Sequence, residues 1–238
     1  WVVGDSNDTA TAGIWELAEP LATYNDDNIQ IQPGEDYDDD GTFCFITGNG
    51  FEAGNGGFDD VDGGKTTLYS PQFNINGLDE VIVTYWRWYT NNIGDNGNND
   101  KWIVSVTNYG NIWVNLENTT SSNANWDKKR FILSDYIDLD ETIQFKFVAE
   151  DIFNNGDDGT GGSLVEAAID NFSIEYIGEN TNIPGDVNND SNVDVLDVVL
   201  VVNMILGSEP PNYSADLNND NLINVQDIIF LINLIINN

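Results

Sequence analysis

The sequence predicts a mainly β protein, an antiparallel β-sandwich of jelly-roll type, followed by a small α-helical module. Three observations predict it. Up to about Gly178, short runs of β-branched and aromatic residues alternate with clusters of Gly, Asn and Asp, which is how antiparallel strands joined by polar turns read. Past that point the apolar period becomes helical, in VLDVVLVVNMIL and VQDIIFLINLII. Each helical run follows a twelve-residue Asp/Asn-rich pattern, DVNNDSNVDVLD from Asp186 and DLNNDNLINVQD from Asp216, thirty residues apart.

Taken in order, the strand candidates are TFCFITG, TTLYSPQF, EVIVTYWRWYT, KWIVSVTN, NIWVNLEN, KRFILSDYI, TIQFKFVAED and AAIDNFSIEYI. Antiparallel sheets bury one face each, so this many strands need two sheets packed together. In EVIVTYWRWYT, Ile82, Thr84, Trp86 and Trp88 share one face while Val81, Val83, Tyr85, Arg87 and Tyr89 share the other. One of these faces must be core, and the opposite one remains aromatic. The expected organisation is a sandwich over residues 1–178, a Gly/Asn/Pro-broken linker over 179–185 and a second module over 186–238.

Oxygen-bearing side chains at positions 1, 3, 5, 9 and 12 of a twelve-residue loop, with the backbone carbonyl of position 7, suit a hard cation such as Ca2+. The first loop offers Asp186, Asn188, Asp190, Asp194 and Asp197 with the carbonyl of Asn192. The second offers Asp216, Asn218, Asp220, Asn224 and Asp227 with the carbonyl of Leu222. Position 12 is Asp rather than Glu, and position 6, where a sharp turn favours Gly, is Ser191 in one copy and Asn221 in the other. The position-12 carboxylate also falls in the first turn of the following helix, where the helix dipole favours negative charge, so metal binding and helix initiation are coupled.

Two loop–helix repeats, with no helix before the first loop, resemble the type I dockerin module over about residues 185–238. The resemblance implies a protein partner of cohesin type, met by the helices. The comparable helix positions here are Val202 and Asn203 in the first repeat and Ile232 and Asn233 in the second, half of them apolar. Both helices are apolar almost all round, and so short a module cannot hide them on every side, so a partner surface is expected to cover the remainder.

Composition bounds the function. The chain has 41 acidic and 7 basic residues among 238, with no His and a formal charge of −34. Phosphate backbones are held by Lys and Arg, so nucleic acid is excluded as a partner. Without His there is no Ser-His or Cys-His pair and no His-ligated zinc. A carboxylate pair for glycoside hydrolysis is not singled out by any spacing, so a non-catalytic protein is expected. The apolar runs are too short to span a bilayer, which argues against membrane insertion. Cys44 is alone, so no intramolecular disulfide forms; it reads as a small buried hydrophobe. Modules tuned to millimolar calcium work outside cells. The expected setting is therefore secreted or cell-surface, and a start at Trp1 fits a processed or excerpted segment.

In the β region, GIWELAEP, PGEDYDDDGTFCFITGNG, FDDVDGGKTTLYSP and VEAAIDNFSI resemble the jelly-roll accessory domain of secreted bacterial zinc carboxypeptidases, and more distantly MAM-type adhesion domains. That resemblance implies a structural calcium ion held by Asp60, Asp62 and Asp170, with Glu166 and Asp36 as further candidates; Asp in turns is also common for its own reasons. Seven Trp residues suit either a sandwich core or a glycan-binding face. Asn7 and Asn118 begin N-glycosylation sequons, NDT and NTT. The expected function is calcium-dependent extracellular assembly or adhesion, the dockerin-like helices docking onto a cohesin-like domain or onto the next identical subunit in a filament. The alternative is an accessory glycan- or substrate-binding region of a secreted peptidase or glycoside hydrolase.

Overall fold

A computed structural model describes residues 1–38, 41–50, 56–57, 59–75, 78, 80–94, 97–108, 112–139, 142–151, 162–177, 184–188, 190, 192–210, 212–218, 220 and 222–237. The chain divides into two compact units, Trp1–Gly178 and Glu179–Asn238.

The first unit is built of β1 (Val2–Val3), β2 (Trp15–Ala18), β3 (Thr23–Tyr24), β4 (Gln30–Gln32), β5 (Cys44–Thr47), β6 (Gly64–Asn74), β7 (Glu80–Thr90), β8 (Trp102–Thr107), β9 (Val114–Thr119), β10 (Asn123–Ile132), β11 (Thr142–Asp151) and β12 (Glu166–Ile177). One five-stranded sheet has the order β1-β6-β11-β8-β9 and the other β10-β7-β12-β5-β2, while β3 and β4 form a separate ribbon. The named pairings are all antiparallel. This is the antiparallel sandwich that the alternating sequence predicts, with the chain crossing between the sheets at every step from β5 to β12 except the β8–β9 hairpin.

The aromatic ambiguity of β7 resolves by what lies opposite each face. Val81, Val83, Tyr85 and Tyr89 pack with Trp102, Val104, Ile143, Phe145, Phe147 and Ile169 in the main core. Trp88, on the opposite face, joins Cys44, Ile46 and Ala168 in a second buried cluster, with Trp126 packed beside it. Arg87 shares the core side and is buried. Its guanidinium meets Glu117 Oε2 at 2.7 Å, and Glu117 Oε1 accepts the Tyr85 hydroxyl at 2.5 Å and the Trp102 indole N–H at 2.9 Å. A buried charge is tolerable only when paired and hydrogen-bonded in this way. Burial, and then the neighbouring Glu117 charge, push the Tyr85 hydroxyl well above its ordinary pKa.

Gly48 sets the approach of β5 to the loop that follows Phe58. Its φ is +45°, and a Cβ there would lie 1.7 Å from the Asp59 carbonyl oxygen. Only Gly fits that backbone.

The second unit contains α1 (Val195–Ile205) and α2 (Val225–Asn237). Its core is Val187, Val201, Ala215 and Leu231, with Val198, Met204, Ile228 and Ile235 packed around it. Val187 and Val201 of the first repeat correspond to Leu217 and Leu231 of the second, so the thirty-residue sequence period is also a packing period. Only one stripe of each helix is covered. Val195, Leu196, Val199 and Leu206 on the first repeat, and Val225, Ile229, Phe230 and Ile236 on the second, are at least half exposed.

Candidate functional site

In the first loop the Asp190 amide donates to Asp186 Oδ1 at 3.1 Å and to Asn188 Oδ1 at 2.9 Å, and the Asn192 amide donates to Asp190 Oδ1 at 2.8 Å. In the second loop the Asp220 amide donates to Asp216 Oδ1 at 3.1 Å and to Asn218 Oδ1 at 2.9 Å, and the Leu222 amide donates to Asp220 Oδ1 at 2.9 Å. Side-chain oxygens at positions 1, 3 and 5 thus fold the backbone around themselves identically in both copies. The Asn188 amide group and the Asn192 backbone amide hold the Asp190 carboxyl below its ordinary pKa, so it stays anionic.

The loops close on the helices by the same means. Asp194 accepts the Leu196 amide at 2.7 Å while Asp197 Oδ2 accepts the Asp194 amide at 2.9 Å, a reciprocal cap on α1. Asn224 accepts the Gln226 amide and Asp227 Oδ2 the Asn224 amide, both at 2.8 Å, on α2. Asp197 and Asp227 are fully buried. Their other oxygens reach back to the loop entrances, accepting the amides of Val187 at 2.8 Å and Leu217 at 3.0 Å. Asp197 Oδ1 accepts the Asn188 amide as well, at 3.1 Å, whereas Oδ2 of Asp197 and of Asp227 keeps a second lone pair suited to a cation. The position-6 residues Ser191 and Asn221 lie outside the described residues.

Residues 184–236 match the Dockerin type I domain. Type I dockerin domains bind calcium and dock onto cohesin partners. In this dockerin region Val202 and Asn203 are half-buried, whereas Ile232 and Asn233 are exposed. Among the described residues no group of three or more His, Cys, Asp or Glu side chains is arranged to hold a metal ion; the dockerin loops instead mix Asp with Asn and backbone oxygens. No helix among the described residues is long and apolar enough to cross a membrane.

No curated protein matches the chain. Among solved structures, the β-sandwich is similar to TmCBM61 in complex with β-1,4-galactotriose, at 15% identity and a TM-score of 0.35 over 58% of this chain and 72% of that one. It is similar to a Family 16 Carbohydrate Binding Module-2 at 13% identity and a TM-score of 0.34, covering 73% and 89%. The Family 11 Carbohydrate-Binding Module from Clostridium thermocellum, in complex with a β-1,3-1,4-mixed-linked tetrasaccharide, gives 9% identity and a TM-score of 0.34, covering 74% and 86%.

In the β unit the acids nominated from sequence fall into two groups. Asp60 is 1% exposed, and neither of its carboxylate oxygens meets a hydrogen-bond donor in good geometry. Burial, then the charges of Asp62 and Asp151, push its pKa up to about 8. Glu166 is also buried and raised, by burial and then by Asp60, with the Thr47 hydroxyl opposing at 3.2 Å. Asp170 belongs elsewhere: its Oδ2 accepts the Tyr37 amide at 2.8 Å, and its charge, after burial, helps raise Asp36. Asp151 was not foreseeable, because it reaches Asp60 only through the pairing that sets it across from Gly64. Asn118 is exposed on β9, and Asn7 is exposed with its side chain bonded to Asp5 Oδ1 at 3.0 Å.

The outer face of the β10-β7-β12-β5-β2 sheet carries an open cleft of about 550 Å³, lined by Tyr24, Gln30, Glu35, Asp36, Tyr37, Trp88 and Trp126 among others. Trp88 and Trp126 meet edge to face at 6.1 Å, and Tyr37 stacks on Trp86 at 3.5 Å and 16°. Backbone oxygens fix the rings. The Trp88 indole donates to the Ile31 carbonyl at 2.6 Å and the Trp126 indole to the Glu35 carbonyl at 3.3 Å.

Proposed function

We propose that the chain is a non-catalytic, calcium-dependent docking protein of the extracellular space or cell surface. The observation that carries this is the repeated loop geometry, in which two copies thirty residues apart wrap the same amides around the same side chains and close on a buried position-12 Asp. The donor set fits calcium, being all hard oxygens with several carboxylates and neither nitrogen nor sulfur. Asp186, Asn188, Asp190, Asp194 and Asp197 with the Asn192 carbonyl hold one ion; Asp216, Asn218, Asp220, Asn224 and Asp227 with the Leu222 carbonyl hold the other. Bound calcium neutralises the carboxylates crowded into each loop and fixes the first turn of each helix. The helices then present Val199, Ile229 and Phe230, all about half exposed, together with Val202, Asn203, Ile232 and Asn233, to a partner domain. That partner is a cohesin-like domain or the next identical subunit. Head-to-tail docking between identical subunits that does not close into a ring extends into a filament. The domain reading is a sandwich over 1–178, a linker over 179–185 and the docking module over 186–238.

Sedimentation of the full chain with calcium and with chelator, alone and mixed with a cohesin domain, tests this reading. A calcium-dependent rise in mass is expected. A strict monomer at high concentration removes self-docking, and a failure to bind cohesin as well removes the docking reading.

A second reading, favoured by the aromatic cleft, makes the β unit a glycan- or substrate-binding region accessory to a secreted hydrolase. Asp60 and Asp62, and separately Asp170, remain proposed calcium ligands of that unit, and Asn7 and Asn118 proposed glycosylation sites.

A further inference from the structure

We infer that the cleft over the β10-β7-β12-β5-β2 sheet binds a neutral oligosaccharide, with Tyr37 and Trp126 as its stacking surfaces and Glu35, Asp36 and Gln30 as hydroxyl-binding groups. The inference rests on the second reading above, that the β unit is a glycan-binding region, and adds the place and the ligand charge.

The rings supply the first argument. Tyr37 has one face against Trp86 and is still 36% exposed, so its other face is open to solvent. Trp126 is half-buried, its edge set against Trp88. Sugar rings present flat C–H faces that pack on aromatic faces, while their hydroxyls need donors and acceptors at the rim. The rings are held rigidly. The Trp126 indole N–H donates to the Glu35 carbonyl at 3.3 Å, the Tyr37 ring stacks on Trp86 and its backbone amide is tied to Asp170 at 2.8 Å, so little freedom is lost when a ligand arrives.

Volume and charge supply the second. A cleft of about 550 Å³ lies within the range of about 300–1,000 Å³ usual for small-ligand sites, and is far larger than an ammonium group needs. Its lining holds Glu35 and Asp36 and neither Lys nor Arg. Register places Lys128 across from Trp86, beside the cleft, and Arg130 across from Thr84, one pair further along the same face. With the chain at −34, an anionic polysaccharide is repelled, whereas carboxylates accept hydrogen bonds from neutral hydroxyls.

The test is an array of neutral and anionic glycans probed with the full chain in calcium buffer, followed by calorimetric titration of the glycans retained. Neutral glycans are expected to bind, with polygalacturonate and heparin blank. Tyr37→Ala and Trp126→Ala should each weaken affinity at least tenfold, while Trp113→Ala, beside Tyr69 of the other sheet, should leave it unchanged, near-ultraviolet circular dichroism verifying the fold of each. Binding that survives both cleft substitutions overturns this cleft and leaves the glycan reading standing. A blank array overturns both. Retention of anionic glycans alone, or competition by choline, overturns the ligand class.

Discussion

Asp197 closes its loop onto Val187, its Oδ1 accepting the Val187 amide at 2.8 Å, and thirty residues later Asp227 makes the same bond to Leu217 at 3.0 Å. Each of these carboxylates ties the entrance of a loop to the first turn of a helix. Asp197→Ala removes both this closure and the reciprocal cap, leaving buried amides without an acceptor. Loss of a cap costs about 1 kcal/mol and each stranded buried group about 1–3 kcal/mol. The expected result is selective weakening of the dockerin region, read as an earlier loss of helical signal on heating while the β signal melts unchanged.

Glu117 holds together the polar cluster inside the sandwich. Glu117→Ala leaves the buried Arg87 guanidinium only the partly exposed Asp127, at 3.7 Å, and costs up to about 3–5 kcal/mol. Glu117→Gln, which keeps acceptors for Tyr85 and Trp102, should cost less. Urea denaturation followed by tryptophan fluorescence measures the order.

Gly48→Ala places a methyl carbon 1.7 Å from the Asp59 carbonyl oxygen at a φ of +45°. Because the obstacle is backbone, the loop has to move, and a loss of at least about 1–3 kcal/mol follows. A midpoint in urea within error of the parent would contradict the close approach.

Cys44 is buried, and burial, then the charges of Asp170 and Asp36, push its thiol far above the ordinary range. The thiolate is the reactive form. Native protein at pH 8 should therefore resist a disulfide-exchange reagent for hours and react fully within minutes of unfolding.

The parts of this architecture that are local in sequence were legible there. Seven of the eight long strand candidates fall on their strands among β5 to β12, since alternation survives over many residues; KRFILSDYI is strand only at Lys129–Ile132, as β10 starts earlier, at Asn123, and Leu133–Asp135 turns into a 3-10 helix. The repeat of oxygen-bearing positions in the two loops is visible because its spacing lies within twelve residues. The strands β1 to β4 span two to four residues each, too few for a period to show. Which face of β7 is core could not be read, as both faces are aromatic; long-range pairing decides it. The same holds for the β-unit acids. Nothing near Asp60 in sequence points to Asp151, and nothing near Asp170 points to Tyr37, 133 residues away. The cleft is likewise not written in local sequence: Trp126 and Glu35 are 91 residues apart, and a Trp on a strand reads alike whether it fills a core or lines a cleft.

The most direct test of calcium-dependent docking is a chelator titration of the full chain, following helicity at 222 nm together with near-ultraviolet tryptophan dichroism. Metal binding and folding are linked in such loops. Helical signal should fall as calcium is withdrawn and return on its restoration, with the tryptophan signal of the sandwich persisting through the loss of the helices. Helicity that stays unchanged after complete calcium removal would contradict the account.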